Sequence, residues 1–178
     1  MTANHLDAWL PAATIRTQHR RISTAPPDRL WESARAVRLS DTRTLGRLVR
    51  WRIPGTDASS TFDQLLYGYP FTPLDAGEHL LVSGLCGRIW TLARDYPRLE
   101  APAAFREWRE PGTVRVLLAH WVEPLEDGRS EIVSEARMAA VDRAAALRLR
   151  ALWVVVGPFD HLVGAEGLTV AVRRAEGH

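Results

Sequence analysis

Apolar and polar residues alternate along the middle of the chain, which is the pattern of half-buried β-strands. The alternating segments are TFDQLLYGY, EHLLVSGLC, GRIWTLA, AAFREW, TVRVLLAHWV and RSEIVSEARM, which together run from Thr61 to Met138. Turn-forming sequences such as PLDAG, EPG and EPLEDG lie between several of them. A weaker alternation over residues 13–23 predicts a first strand, with His19 on the same side as Ile15 and Ser23. The pattern therefore predicts six to seven antiparallel strands.

Two short helices are predicted after the first strand. The segment TAPPDRLWESARAV has prolines where the first turn of a helix tolerates them, and Asp28 near the positive end of the helix. A second helix follows Ser40–Asp41. After Val141 the period changes from two to about 3.6 residues, and Asp142 is placed to cap a long C-terminal helix. We expect Gly157–Pro158 to interrupt that helix, because proline has no amide hydrogen, and the helix to resume through Leu162 and Ala165.

These elements predict an α+β fold. A sheet of six to seven antiparallel strands twists and curls, and its concave apolar face must be covered. The C-terminal helix is the only long amphipathic element, so we expect the sheet to curl around it, with the two short helices nearby. One helix seldom fills such a space, which predicts an internal cavity. Residues 1–12 are predicted to be a flexible or loosely packed lead-in, and residues 13–178 a single domain.

Composition narrows the class of protein. Of the 178 residues, 46% are hydrophobic and 25% are charged, which is typical of globular domains. No apolar run reaches the roughly 18 residues of a membrane span, and the N-terminus lacks the pattern of a secretory signal. The single cysteine, Cys86, excludes an internal disulfide and a cysteine-rich zinc site. We therefore expect a cytoplasmic protein.

All 23 basic residues are arginines, yet the net charge is only +2. This Arg-only, Ala-rich composition indicates a GC-rich, bacterial genome. The arginines alternate with acids along the chain, whereas nucleic-acid-binding proteins concentrate positive charge on one face, so we expect no nucleic-acid partner. The exception is the segment from Arg35 to Arg52, with six arginines opposed only by Asp41. We interpret this segment as a solvated helix face rather than a phosphate-binding surface.

Four stretches carry a resemblance to a known fold: ISTAPPDRLWESARAV, GLCGRIWTL, EPGTVRVLLAHWVEP and EIVSEARMAAVDRAAALRLRALWVVVGP. In this order they resemble the START-like helix-grip superfamily, which includes polyketide cyclases, aromatases and lipid-transfer domains. The resemblance implies a helix-grip fold with a cavity for an apolar or aromatic ligand, but no particular reaction. The chain departs from one bacterial branch at Gly157–Pro158 and Leu162–Val163, where that branch often has Gly-Ser and Ile-Arg.

Glu135 and Arg137 lie two positions apart on the last strand and therefore point to the same face. The other face, with Ile132, Ser134 and Ala136, is small and apolar enough to be the interior. On that assignment Glu135 and Arg137 form an exposed or rim ion pair with a structural role. The alternative places them in the cavity, where Arg137 would bind an oxyanion and Glu135 would act as acid or base.

His120 shares the more apolar face of its strand with Val116 and Leu118, which makes it a candidate polar group inside the cavity. A histidine in such a place is more often a hydrogen-bonded core residue. If the protein is an enzyme, we expect His120 and Arg88 to be its catalytic residues.

Further residues are predicted to line the ligand site because they are aromatic or polar and lie on the sheet or the long helix. They are Tyr67, Tyr69, His79, Ser83, Trp90, Trp121, Trp153 and His161. None of the six histidines belongs to a metal-binding sequence motif, and no glycine-rich phosphate loop is present. We therefore expect no metal and no cofactor.

Three functions remain open at this stage. The first is binding of an apolar small molecule, such as a lipid or polyketide, between sheet and helix. The second is a cofactor-independent enzyme of the cyclase or aromatase type. The third is a non-catalytic interaction protein whose cavity is filled by its own side chains. The chain could also form a homodimer.

Overall fold

The computed structural model describes residues 3–53, 55–91, 93 and 96–178, without the side chains of residues 3, 4, 52, 159 and 161–163. These residues include an open antiparallel sheet of five strands: β1 (Ile15–Ser23), β2 (Thr72–Gly77), β3 (Leu80–Gly87), β4 (Val114–Pro124) and β5 (Ser130–Ala140). The strand order is β1-β5-β4-β3-β2. The later four strands are thus neighbours in chain order, and β1 pairs with β5 at one edge.

Helices cover both faces of this sheet. They are α1 (Ala3–Asp7), α2 (Pro27–Arg35), α3 (Thr44–Arg52), α4 (Phe62–Tyr67), α5 (Pro102–Glu107) and α6 (Arg143–Ala175), with a 3₁₀ helix at Leu39–Asp41. The predicted α+β class and the long C-terminal helix against an antiparallel sheet are confirmed. Within the described residues, no helix has both the length and the apolar character to cross a bilayer.

The predicted six to seven strands are too many, because two segments predicted as strands are helices, and GRIWTLA has no strand among its described residues after Gly87. The predicted turn PLDAG lies instead within strand β2. TFDQLLYGY forms α4, where Thr61 and Gln64 make reciprocal bonds between side chain and amide that cap the helix start. AAFREW forms α5, which begins at Pro102, a residue suited to the first turn of a helix. Short apolar runs do not distinguish one turn of helix from a strand.

The long helix α6 is continuous through Pro158, so the predicted interruption is wrong. The side chain of Asp142 caps its start, as expected, by accepting a hydrogen bond from the amide of Ala145 at 2.7 Å. Packing against α2, α3, β1 and β5 compensates for the amide hydrogen that proline lacks. With 33 residues, α6 extends for about 50 Å along the sheet.

The two faces of the sheet pack differently. The inner face, with Leu81, Leu118 and Ile132, faces α2 and α6. The outer face, with Leu117 and Val133, packs against Leu6 and Leu10 of the N-terminal segment and against α5. Residues of the predicted loose lead-in therefore belong to a buried apolar cluster.

Candidate functional site

A cavity of about 380 Å³ lies between the inner face of the sheet and the helices α2, α3, α4 and α6. Most of its walls are apolar. The apolar lining comprises Trp31, Ala34, Val37, Leu45, Leu48, Val49, Ile53, Phe62, Leu65, Leu66, Phe71, Leu81, Leu118, Ile132, Ala136, Leu168 and Ala171. This volume lies within the range of small-molecule sites in proteins, about 300–1,000 Å³.

Three polar side chains form a row across the inner face. His19 on β1 is paired in register with Ser134 on β5, and Ser134 is paired with His120 on β4. Side chains opposite each other on neighbouring antiparallel strands have Cβ atoms about 5 Å apart. All three residues line the cavity, and Thr17 lies beside the row on β1. We call His19, Ser134 and His120 the polar row.

The long helix supplies a carboxylate to one end of the polar row. Asp160 of α6 lies with its Oδ2 3.0 Å from Nε2 of His19. One helical turn further along, Gly164 faces the same imidazole, and a Cβ atom there would lie 2.2 Å from the ring. Only glycine lets α6 approach His19 this closely. The helix therefore provides both the partner of His19 and the space for its ring.

His120 occupies the other end of the polar row. Burial lowers its pKa to about 4, so the imidazole is neutral at pH 7. Part of its surface remains accessible because the ring faces the cavity. Within the described residues no hydrogen-bond partner is recorded for its side chain. A neutral imidazole offers one donor and one acceptor, and no described residue is recorded as using either.

The charged groups on the described cavity wall are paired with one another. Arg35 and Asp63 form an ion pair at 2.8 Å, and this hydrogen bond raises the pKa of Arg35. Asp160 bonds His19 at the opposite side. The site therefore presents apolar surface and a polar row, without an unpaired charge in the described lining.

The structure does not bring Arg88 to His120. Arg88 follows β3, is exposed, and is not part of the cavity lining. Its carbonyl accepts hydrogen bonds from Thr91 in a turn. Trp121 also lies elsewhere, because its strand position points to the outer face, where it belongs to the buried cluster with Leu117.

The two tyrosines predicted for the site lie outside the cavity lining. Tyr67 ends α4, with 46% of its surface exposed, instead of lying on a strand. Tyr69 donates a hydrogen bond to the carbonyl of Tyr96 at 3.1 Å, and the guanidinium of Arg98 lies 4.7 Å from its ring centroid. Trp90 packs against a cluster at the other end of the inner face, near Leu149.

Ser83 and His79 have protein partners. Ser83 is buried on the inner face, and its hydroxyl donates to the carbonyl of Leu66 at 2.8 Å. His79 lies in the turn before β3, with its Nε2 2.7 Å from Asp28. Asp28, Glu78 and His79 offer three atoms within 4.8 Å of one another, a spacing that metal ligands share. Exposed acidic groups often lie this close without a metal, and the expectation of no metal stays a prediction.

Two predicted residues lie on the long helix. Trp153 is half-buried against Gly157, outside the cavity lining. The side chain of His161 lies outside the described part of the structure.

Glu135 and Arg137 form an ion pair on the outer face, with an N–O distance of 2.6 Å. They are not exposed at the rim, since both are at least 98% buried beneath the N-terminal segment. Arg137 also contacts Asp7 and donates to the carbonyl of Leu10. Burial opposes its charge, but bonds with Glu135 and Asp7 outweigh this effect and raise its pKa.

Sequence reasoning named His120 but not the other members of the site. The alternation in β1 already placed His19 and Thr17 on one side, and the small face of β5 contained Ser134. The alternation does not show that β1 pairs with β5, nor the register that places His19 beside Ser134. Asp160 was not named, although its neighbour His161 was, because the spacing along the helix does not show which of its residues face β1.

No protein-family model matches the chain, and no curated protein matches its sequence. Two solved structures show a distant similarity to this chain. A hypothetical protein from Helicobacter pylori is 12% identical, with a TM-score of 0.42, and the match covers 95% of this chain and 93% of that one. The Zhui aromatase/cyclase from Streptomyces sp. R1128 is 16% identical, with a TM-score of 0.35, over 91% and 93% of the two chains. Similarity at this level gives no ligand or reaction.

Proposed function

We propose that the protein binds an uncharged, largely apolar small molecule in the cavity between the sheet and α6. The observation that carries this proposal is the polar row of His19, Ser134 and His120 in an otherwise apolar cavity of about 380 Å³. No partner is recorded for the side chains of Ser134 and His120 within the described residues. A polar group that faces an apolar space in this way is costly, and a ligand hydroxyl or carbonyl would remove that cost.

The charges support an uncharged ligand. Arg35 is paired with Asp63, and Asp160 with His19, so a carboxylate or phosphate would find no free cation on the described wall. An ion transferred into such an apolar space would lose its hydration without compensation. The matching ligand has an apolar body and one or two oxygen functions directed at the polar row.

The test uses an uncharged fluorescent probe, N-phenyl-1-naphthylamine, and native mass spectrometry of freshly purified protein. We expect the probe to bind the wild type with increased fluorescence, and an apolar compound to co-purify. Ala136→Phe should reduce probe binding at least tenfold, because this side chain would fill the cavity. Ala103→Phe, at an exposed position on α5, is the matched control.

Probe binding that survives Ala136→Phe would contradict the assignment to this cavity. Absence of both a co-purified ligand and probe binding in the wild type would favour the non-catalytic interaction protein instead. A melting curve of each variant separates loss of binding from loss of folding.

The hydrogen bond between Asp160 and His19 favours a second function, a cofactor-independent cyclase- or aromatase-like enzyme. Asp160 would hold the imidazole of His19 in one orientation, and His19 would take a proton from a carbon beside a ligand carbonyl. The neutral His120 or the hydroxyl of Ser134 would donate a hydrogen bond to the enolate oxygen that develops. The proton then returns from His19 to the rearranged product.

Proton abstraction can be measured without the natural substrate. The uncharged ketone 2-tetralone is incubated in D₂O, and loss of its α-proton signals is followed by NMR. For an enzyme, we expect exchange above buffer and a decrease of about 100-fold or more in His19→Asn. His79→Asn, outside the cavity, should leave the rate unchanged. If tetralone displaces the fluorescent probe but does not exchange faster than in buffer, the enzyme hypothesis fails and the binding function stands.

A further inference from the structure

The helix α3 exposes two large apolar side chains beside the cavity. Trp51 is 55% exposed and Leu48 is 41% exposed, and their spacing of three places them next to each other on the helix surface. Arg47 and Arg50 lie on the same exposed side, within one turn of Trp51. Residues 42–56 contain four arginines and no acidic residue.

These arginines lack the partners that neighbouring arginines have. Arg35 pairs with Asp63, and Arg174 pairs with Asp41. For Arg43, Arg47 and Arg50, no ion pair exists within the described residues, and Arg50 only donates to the carbonyl of Gly46. The guanidinium groups around Trp51 are therefore free to bind external anions.

The nearest acid on α6 does not neutralise this surface. Glu166 accepts hydrogen bonds from the amides of Arg43, Thr44 and Leu45 at the start of α3. Although burial opposes its charge, these amides outweigh that effect and lower the pKa of Glu166. The carboxylate thus fixes α3 against α6, and the charge of Arg43 also contributes to its lowered pKa, whereas Arg47 and Arg50 have no acidic partner among the described residues.

The same helix forms a wall of the cavity. Leu45, Leu48 and Val49 line it, and Leu48 is also one of the two exposed apolar residues. The apolar interior and the exposed apolar surface are therefore continuous through one side chain.

We propose that α3 docks the protein on an anionic lipid bilayer. Trp51 and Leu48 would enter the interface between headgroups and acyl chains, and Arg43, Arg47 and Arg50 would bind lipid phosphates. A row of arginines alone would suit many polyanions, but the exposed tryptophan and leucine between them match a surface that is anionic outside and apolar beneath. This docking does not depend on the cavity having a ligand. If the proposed binding function holds, an apolar ligand could pass between bilayer and cavity beside Leu48.

The test is flotation of the full chain with vesicles of phosphatidylcholine alone and with vesicles containing phosphatidylglycerol in addition. We expect binding only to the vesicles with phosphatidylglycerol. Binding should fall as NaCl rises from about 0.1 M to about 1 M, which shortens the Debye length from about 10 to about 3 Å. The double variant Arg47→Gln/Arg50→Gln should lower the partition coefficient about 30-fold, since each arginine near an anionic surface accounts for about fivefold. Trp51→Ala should lower it about tenfold.

The control variants are Val154→Ala and Arg129→Gln, at exposed positions outside α3. We expect both to bind vesicles as the wild type does. The proposal is overturned if the wild type does not bind anionic vesicles, or if the α3 variants bind as well as the wild type. A wild type that binds duplex DNA but no vesicles, with loss of DNA binding in the arginine variants, would also overturn it. The arginines would then belong to a nucleic-acid-binding surface. Melting curves, together with probe binding in the absence of vesicles, show whether each variant is folded.

Discussion

On the outer face of the sheet, Glu135 accepts hydrogen bonds from Arg16, Gln18 and Arg137. On the inner face, Ser134 lies one position away on the same strand and faces the cavity beside His120. The outer polar group is buried and satisfied by protein, whereas the inner polar row faces an open space.

The comparison distinguishes polar groups that stabilise the fold from polar groups that are available to a ligand. A buried charge tolerates burial when several donors surround it, and such a network then holds neighbouring segments together. On the outer face, Arg137 ties the N-terminal segment to the sheet through Asp7 and Leu10. In the polar row, His19 ties β1 to α6 through Asp160, whereas no protein partner is recorded for the side chains of Ser134 and His120 within the described residues, so these two are the groups that the proposed ligand would engage.

The largest expected effect on stability comes from breaking the hydrogen-bond network around Glu135 on the outer face. Arg137→Leu leaves Glu135 buried without its closest partner, and we expect a loss of about 3–5 kcal/mol in the free energy of unfolding. Urea denaturation followed by circular dichroism measures it. Arg20→Leu removes an exposed ion pair with Glu131 and should cost less than about 1 kcal/mol. Equal losses in the two variants would mean that the buried network is no stronger than a surface pair.

The next prediction concerns pH and the inner face. The pKa of His120 is lowered from 6.5 to about 4, so between these values the unfolded chain binds a proton that the folded chain does not. Stability should therefore be complete above pH 6.5 and decrease as the pH falls towards 4, by at most about 3 kcal/mol. His120→Gln should lose less stability than the wild type over this range.

His79→Gln is the control for this pH dependence, because His79 lies outside the cavity. Carboxylates with lowered pKa values, such as Asp142, lose their stabilising effect in acid in all three proteins. The difference between the stability curves of the wild type and His120→Gln therefore measures the contribution of His120 to the pH dependence. Superimposable curves for wild type and His120→Gln would refute the lowered pKa.

The close approach of α6 to the polar row predicts a smaller effect. In Gly164→Ala the new Cβ would overlap the ring of His19, and we expect a loss of about 1–2 kcal/mol together with weaker probe binding. At Gly167 a Cβ would meet its nearest atoms at 3.7 Å, which is ordinary contact. Gly167→Ala should therefore be neutral or stabilise by up to about 1 kcal/mol. Thermal unfolding distinguishes the pair, and equal melting temperatures would argue against the tight packing.

The smallest expected effect is a difference in stability between two variants, each of which replaces a serine of the inner face. Ser83→Ala removes a buried bond to the carbonyl of Leu66 and should cost about 1 kcal/mol. No partner is recorded for the hydroxyl of Ser134 within the described residues, so Ser134→Ala should change stability by less than about 0.5 kcal/mol. Ser134→Ala should nevertheless weaken ligand binding. A stability loss in Ser134→Ala as large as in Ser83→Ala would give this serine a structural role.

Part of the site could be predicted from local sequence. Alternation identified β4 and β5 and the side of each strand that holds His120 and Ser134. Alternation failed for TFDQLLYGY, because a capping box at Thr61 and Gln64 favours a helix over a strand there. Trp121 was predicted in the ligand site because it is aromatic and lies on the sheet, although alternation puts it on the opposite face from His120, its neighbour in the chain.

The sequence alone determined the α+β class, the long capped C-terminal helix and the faces of the central strands, because these depend on the spacing of nearby residues. Only the tertiary structure decided that Glu135 and Arg137 are buried, since the N-terminal segment that covers them is more than 120 residues away in the chain. It also decided that His19, Asp160 and His120 meet at one cavity while Arg88 does not. These contacts depend on strand register and on the path of α6, which are set by packing over long sequence distances and leave no local pattern.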